Sequence, residues 1–96
     1  MKAVLVVYNE SIESEVAEAV AAAGIEYYTK FPKVHGTGPG SGPRLGNTTW
    51  PGANTALLAV APEKLALALV EKVKELRKKL ADAGLRAFWW GMEGMV

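Results

Sequence analysis

The sequence contains no cysteine, no glutamine and a single histidine, His35, in 96 residues. Without cysteine, the chain can form no disulfide, no thiolate metal site and no cysteine nucleophile. A single histidine with no serine and aspartate at a recognisable spacing does not indicate a catalytic triad, and we expect no enzymatic activity. The lack of glutamine, the three asparagines and the Lys/Glu-rich helices are typical of thermophilic proteins, so we expect a thermophilic source.

A strong net charge and a long apolar segment are also missing. The formal net charge is +1, so we expect no general attraction to nucleic acid or to anionic membranes. No apolar run approaches the roughly 20 residues that span a bilayer, and the run after Lys2 is too short for a signal peptide. We therefore expect a cytoplasmic protein without membrane insertion. Its length and its apolar half predict a single domain over residues 1–96.

Apolar runs and helical patterns alternate along the chain. Asn9 is the expected N-cap of a first helix, and Pro62 the expected start of a second. Gly24 and Gly84 are expected at the C′ positions that end these helices. Four strands are predicted, over residues 3–8, 25–34, 55–61 and 85–90. Pro32 lacks a backbone donor, so the second strand should be an edge strand or leave the sheet at this residue.

Each predicted helix has one apolar stripe and one charged side. The first stripe consists of Ile12, Val16, Val20 and Ala23. The second stripe consists of Leu65, Leu69, Val73, Leu76 and Leu80. The first helix also carries Glu10, Glu13, Glu15 and Glu18, which we interpret as an ordinary solvated surface.

The two halves of the sequence have the same order of strand, helix and strand. Two such units in series predict an α+β, ferredoxin-like βαββαβ fold, with a four-stranded antiparallel sheet and both helices on one face. Strands one and three are apolar at consecutive positions, so the other face also needs cover. Trp89 and Trp90 should lie on opposite faces, one in the core and one at an interface. These features predict a homo-oligomer with cyclic symmetry.

Residues 35–52 hold six of the ten glycines and three of the five prolines. Loops of this length are uncommon in compact domains and are usually functional or disordered. Alternating glycines allow successive backbone N–H groups to face an anion, although neither GxxxxGK[ST] nor an intact GxGxxG is present. A flexible connector is the alternative interpretation. The candidate ligand-binding residues in this loop are Gly36, Thr37, Gly38, Gly40, Ser41 and Arg44.

The segment Lys33-Val34-His35-Gly36-Thr37-Gly38 resembles the Val-x-Gly-x-Gly segment with which PII signalling proteins leave the second strand and enter the T-loop. The order of elements also resembles that of the PII-like superfamily over nearly the whole chain. This resemblance implies a homotrimer with clefts between subunits that bind adenine nucleotides or other small anionic effectors. It further implies regulation of a partner protein, in nitrogen regulation, through a shortened T-loop.

The chain also departs from the PII pattern. Pro39 and Gly40 stand where PII proteins have nucleotide-contacting Arg and Gln, and Ala83-Gly84-Leu85-Arg86 stands where they have Gly-Asp-Gly-Lys. By this correspondence Arg86 is a further candidate ligand-binding residue, in a compact and divergent member whose site differs from the conventional ATP site. The CutA-like divalent-metal-binding trimers are the alternative. There His35 would bind a metal together with carboxylates, whereas its simpler role is a strand-end hydrogen bond.

Overall fold

The computed structural model describes residues 1–35, 54–80 and 84–96. A single 3₁₀ turn (Glu10–Ile12) separates the first strand from the first helix. The strands and helices are β1 (Lys2–Asn9), α1 (Glu13–Ala22), β2 (Tyr28–Val34), β3 (Asn54–Ala61), α2 (Glu63–Lys79) and β4 (Arg86–Gly91).

The four strands form one antiparallel sheet in the order β2-β3-β1-β4. The β1 and β3 strands are central, and they pair without interruption from Lys2↔Ala61 to Asn9↔Asn54. Both helices pack on the same side, where their buried side chains join those of β1 and β3 in one core. The predicted ferredoxin-like α+β fold is therefore confirmed. No helix within the described ranges is both long and apolar enough to span a bilayer.

Asn9 is a cap, but it caps the 3₁₀ turn and not α1 as predicted, because the N-cap position of α1 is Ile12. The Asn9 side-chain Oδ1 accepts a hydrogen bond of 2.9 Å from the Ser11 N–H, and α1 begins later, at Glu13. An asparagine side chain can satisfy a backbone donor that has no intrahelical partner, which is why this residue type starts helices. The turn thus leads the chain from the end of β1 into α1.

The first helix ends at Gly24 in the way that the sequence predicts. Gly24 has a left-handed φ of +84°, which glycine adopts without the steric penalty of a Cβ atom. Its N–H bonds to the Ala21 carbonyl (3.0 Å), and the Ile25 N–H bonds to the Val20 carbonyl (3.2 Å). These two bonds form a Schellman motif. Gly84 is also left-handed, with φ +67°, but residues 81–83 before it lie outside the described residues.

The predicted stripe of α1 is correct, and that of α2 is partly wrong. Ile12, Val16, Val20 and Ala23 are all buried. In α2 the buried residues are Ala66, Leu69, Val70 and Val73. These positions follow the spacing i, i+3, i+4, i+7 of a helix packed on a sheet. The remaining leucines of the prediction, Leu65, Leu76 and Leu80, are only partly buried and flank the core. The orientation of α2 on the sheet decides which apolar row faces inward, and this orientation cannot be predicted from the spacing of apolar residues alone.

The sheet surface away from the helices, called here the outer face, is apolar. Strand pairing brings the following residues to it: Leu5, Val7, Phe31, Ala56, Leu58, Val60, Phe88 and Trp90. Three of its aromatic side chains are about half exposed: Phe31 (46%), Phe88 (51%) and Trp90 (47%). Trp89 lies on the helix side, as the predicted alternation requires, but it is 44% exposed. Its predicted core position is wrong because β4 is an edge strand.

The β2 strand is shorter than predicted and begins at Tyr28 rather than at residue 25. It is an edge strand, and its register with β3 shifts between Phe31 and Val34. Pro32 lies within this irregular segment, as expected for a residue without an N–H. Lys33 follows with a φ of +58°, an unusual conformation for a residue other than glycine. The chain is therefore bent at the point where it leaves the sheet.

Candidate functional site

The two ends of the Gly/Pro-rich loop attach to the same end of the sheet, called here the loop end. At this end β2 finishes at Val34 and β3 begins at Asn54, and these two residues are paired. On its other side Asn54 pairs with Asn9, the last residue of β1. The β4 strand also begins at this end, with Arg86 opposite Val7. One terminus of each of the four strands therefore lies at the loop end.

Two of the candidate site residues lie within the described residues. His35 directly follows β2 and is exposed. Arg86 is the first residue of β4 and is half-buried on the outer face, beside Val7. Since β4 and β3 are separated only by β1, their backbones lie about 10 Å apart. The other candidates, Gly36, Thr37, Gly38, Gly40, Ser41 and Arg44, lie outside the described residues, and their roles stay predictions.

Two buried polar side chains, Asn9 and Thr55, also lie at the loop end. Asn9 is only 3% exposed, and its Nδ2 has no hydrogen-bond partner in the part of the chain that the structure describes. A buried donor without a partner costs about 1–3 kcal/mol, so an acceptor from the loop or from a ligand would stabilise this side chain. The sequence predicts only a capping role for Asn9, because no sequence pattern indicates that its amide nitrogen is buried without a hydrogen-bond acceptor.

A polar network connects β1, α1 and β2 on the helix side of the sheet. The buried Tyr8 hydroxyl donates a hydrogen bond of 2.6 Å to Glu13 Oε1. The Lys30 ammonium forms an ion pair with Glu13 Oε2, and it also lies 5.7 Å from the centre of the Tyr28 ring, within range of a cation–π interaction. The prediction that Glu13 is an ordinary solvated residue is therefore wrong, because it holds the strand that leads into the loop against α1.

The network changes the acidity of two of its members. The hydrogen bond from Lys30, and secondarily that from Tyr8, holds the pKa of the Glu13 carboxyl below its ordinary value. Both bonds stabilise the ionised carboxylate. Burial, followed by the hydrogen bond to Glu13, raises the pKa of the Tyr8 phenol. At neutral pH the network consequently holds a neutral Tyr8 phenol that donates to an ionised Glu13 carboxylate, an arrangement suited to anchoring the strand.

A metal site around His35 has no visible ligands in the described residues. Among residues 1–35, 54–80 and 84–96, no three His, Cys, Asp or Glu side chains cluster so that they could hold a metal ion. The alternative of a divalent-metal-binding trimer would therefore need ligands from elsewhere in the chain or from a neighbouring subunit, and it stays a prediction.

Solved structures with a similar fold come from PII-like proteins. A protein from Thermus thermophilus, described as a PII-like signalling protein, is 24% identical with a TM-score of 0.64, and the match covers 93% of this chain and 82% of the other. CPII from Thiomonas intermedia, a nitrogen regulatory PII-like protein bound to ADP, AMP and bicarbonate, is 18% identical with a TM-score of 0.69 and the same coverage. At these identities the similarity shows the fold alone.

The apo form of CPII is similar as well, with 17% identity, a TM-score of 0.64 and coverage of 95% of this chain and 91% of the other. No curated protein sequence matches the chain. The sequence profile of the family described as nitrogen regulatory protein P-II matches residues 1–90, which is nearly the whole chain. The chain therefore belongs to the nitrogen regulatory protein P-II family.

Proposed function

We propose that this protein is a non-enzymatic, trimeric sensor that binds a small anionic metabolite or adenine nucleotide in clefts between subunits. The ligand would bind beside the loop end, and the segment 35–52 would transmit its presence to a regulated partner protein. The observation that carries this proposal is the apolar outer face, which ends in the cation Arg86 at the loop end. A surface of this kind fits a subunit interface with a polar ligand site at its margin.

The apolar outer face supports the oligomer. An aromatic side chain can bury about 150–250 Å², and Phe31, Phe88 and Trp90 are each about half exposed in the isolated chain. Together with the aliphatic residues between them, they form a contiguous apolar patch of the kind that marks protein interfaces. Packing three sheets around a closed symmetry axis would cover the outer face of every subunit equally.

The ligand class follows from the chemistry at the loop end. The Arg86 guanidinium has the planar geometry that binds phosphate or carboxylate oxygens through two hydrogen bonds. Asn9 Nδ2 lies at the same end and is a donor without a partner among the described residues. The similar CPII structures were solved with ADP, AMP and bicarbonate or acetate. All of these ligands are anions, so they are the first compounds to test on this chain.

Calorimetric titration with ADP, AMP, ATP, bicarbonate and 2-oxoglutarate tests the ligand site. We expect at least one of them to bind, and Arg86→Gln to weaken that binding by roughly tenfold or more, because it removes a charged hydrogen-bond donor. Lys64→Gln is the control, since Lys64 is an exposed cation in the first turn of α2, which follows the end of β3 opposite the loop end. Failure of all five to bind, or equal loss in both variants, would contradict the proposed site.

Sedimentation measurements test the oligomer. We expect a trimer at micromolar concentration, and we expect Phe88→Glu to dissociate it because the substitution places a charge on the outer face. Leu67→Glu adds the same charge to the exposed side of α2, where Leu67 is 37% exposed, and should leave the trimer intact. A wild-type protein that sediments as a monomer would refute the assembly.

A further inference from the structure

A cavity lies at the end of the sheet opposite the loop end, and methionine dominates its lining. Its volume is about 250 Å³, and its lining residues are Met1, Val60, Met92, Glu93, Gly94 and Met95. These include all three methionines of the sequence. The Met92 N–H donates a hydrogen bond of 3.2 Å to the Met1 carbonyl, so the segment after β4 is attached to the start of β1. Methionines from both ends of the chain are thereby brought together.

Exposure of these side chains separates them from ordinary core methionines. Met1 is 63% exposed, Met95 is 71% exposed, and Met92 is half-buried. None of the three belongs to the hydrophobic core, and all three line the cavity. Methionine has three rotatable bonds and a polarisable thioether, which allows three such side chains to turn their sulfur atoms toward one point. Glu93 adds a carboxylate to the lining.

We propose that Met1, Met92 and Met95 form a binding site for a soft monovalent metal cation, Cu(I) or Ag(I). Thioether sulfur is a soft ligand that selects Cu(I) over harder ions such as Mg²⁺ and Ca²⁺. In a chain without cysteine, these three sulfur atoms are the softest donors. The site is independent of the proposed nucleotide site, because the length of β1, about 24 Å, separates the two ends of the sheet.

Titration with Ag(I), followed by NMR of protein labelled in the methionine methyl groups, tests the site. Three resonances are expected, and all three should shift together and saturate at one Ag(I) per chain. Thioethers do not titrate in the range where histidine does, so the affinity should be the same at about pH 5.5 and at neutral pH. Zn²⁺ should leave the three resonances in place, and Cu(I) under reducing conditions should displace Ag(I).

Substitutions distinguish this site from adventitious binding. Met92→Leu and Met95→Leu conserve volume, and each should weaken Ag(I) binding by roughly tenfold or more, with an unchanged melting temperature confirming that the fold is intact. His35→Ala removes the only imidazole, at the opposite end of the sheet, and should leave the affinity unchanged. Methyl resonances that stay in place, that shift with separate midpoints, or that stop responding in His35→Ala would overturn the proposal.

Discussion

Replacing Tyr8 by phenylalanine isolates the contribution of the polar network that anchors β2 to α1. The substitution removes only the hydroxyl, which is buried and donates a hydrogen bond of 2.6 Å to Glu13. The ring itself is fully buried in the core and remains in the variant. Any change in stability therefore reports the hydrogen bond and its coupling to the Glu13–Lys30 ion pair, and not a change in packing.

The expected cost follows from the charge on the acceptor. A hydrogen bond to a charged group contributes about 1.5–3 kcal/mol to stability. The Glu13 side chain is 41% exposed and keeps the Lys30 ammonium as a partner, so water can replace part of what the phenol supplied. We therefore expect Tyr8→Phe to lower the free energy of unfolding by about 1.5 kcal/mol near neutral pH, the lower end of that range.

The cost should depend on pH in both directions. The folded-state pKa of Glu13 is depressed, so its contribution is present above the ordinary value of 4.5 and is lost as pH falls through the folded-state pKa. The folded-state pKa of Tyr8 is raised, so its contribution is present below the ordinary value of 10.0 and is lost as pH rises above it. The difference between wild type and Tyr8→Phe should be largest between these limits and smaller on either side.

Urea unfolding, followed by circular dichroism at one protein concentration, measures this difference. The concentration must be fixed because association of subunits adds to apparent stability. Tyr28→Phe is the matched control, since Tyr28 belongs to the same network but is 44% exposed, and it should change stability by less than about 0.5 kcal/mol. A cost that is independent of pH, or equal in the two variants, would refute the assigned role of the Tyr8 hydroxyl.

Three further predictions concern packing and backbone conformation. Leu69→Ala should destabilise the protein by about 3 kcal/mol in chemical unfolding, because Leu69 is fully buried, whereas Leu67→Ala on the exposed side of α2 should cost less than about 1 kcal/mol. Lys33→Gly should raise the free energy of unfolding by about 1 kcal/mol, since Lys33 has a φ of +58°. Gly24→Ala should lower the free energy of unfolding by a similar amount, about 1 kcal/mol, because Gly24 has a φ of +84°. Backbone strain should be the main cost, since an added Cβ would meet Leu65 at an ordinary contact distance of 3.5 Å.

The order of strands and helices could be predicted because each element has a local signal. Apolar periodicity identified the four strands and two helices. The local chemistry of Asn9, which caps the 3₁₀ turn before α1, and of Gly24, which ends α1, could also be read from the sequence. The start of β2 and the buried row of α2 could not be predicted in the same way. The first depends on which residues find a partner in β3, and the second on the angle at which α2 crosses the sheet.

The candidate site shows the same division between local and tertiary information. The glycine-rich loop can be recognised from the composition of the sequence, and Arg86 is a candidate through a family resemblance alone. The role of Glu13 was missed because its partner Lys30 is seventeen residues away and the two meet only when β2 lies at the edge of the sheet beside α1. Asn9 is recognisable as a cap, but whether its amide nitrogen has a hydrogen-bond partner depends on how the side chain is buried in the fold, which the sequence alone does not show.

The pairing of Val34 with Asn54 has a consequence for how this protein can change in evolution or by design. Because paired neighbours fix the entry and exit of the intervening segment, the closure entropy that a longer segment would cost is small, about 0.6 kcal/mol for each doubling of its length. Closure entropy alone therefore places little limit on the length of the segment between these two strands. Selection for a new partner can then act on one segment, while the scaffold that holds it stays under separate selection for folding.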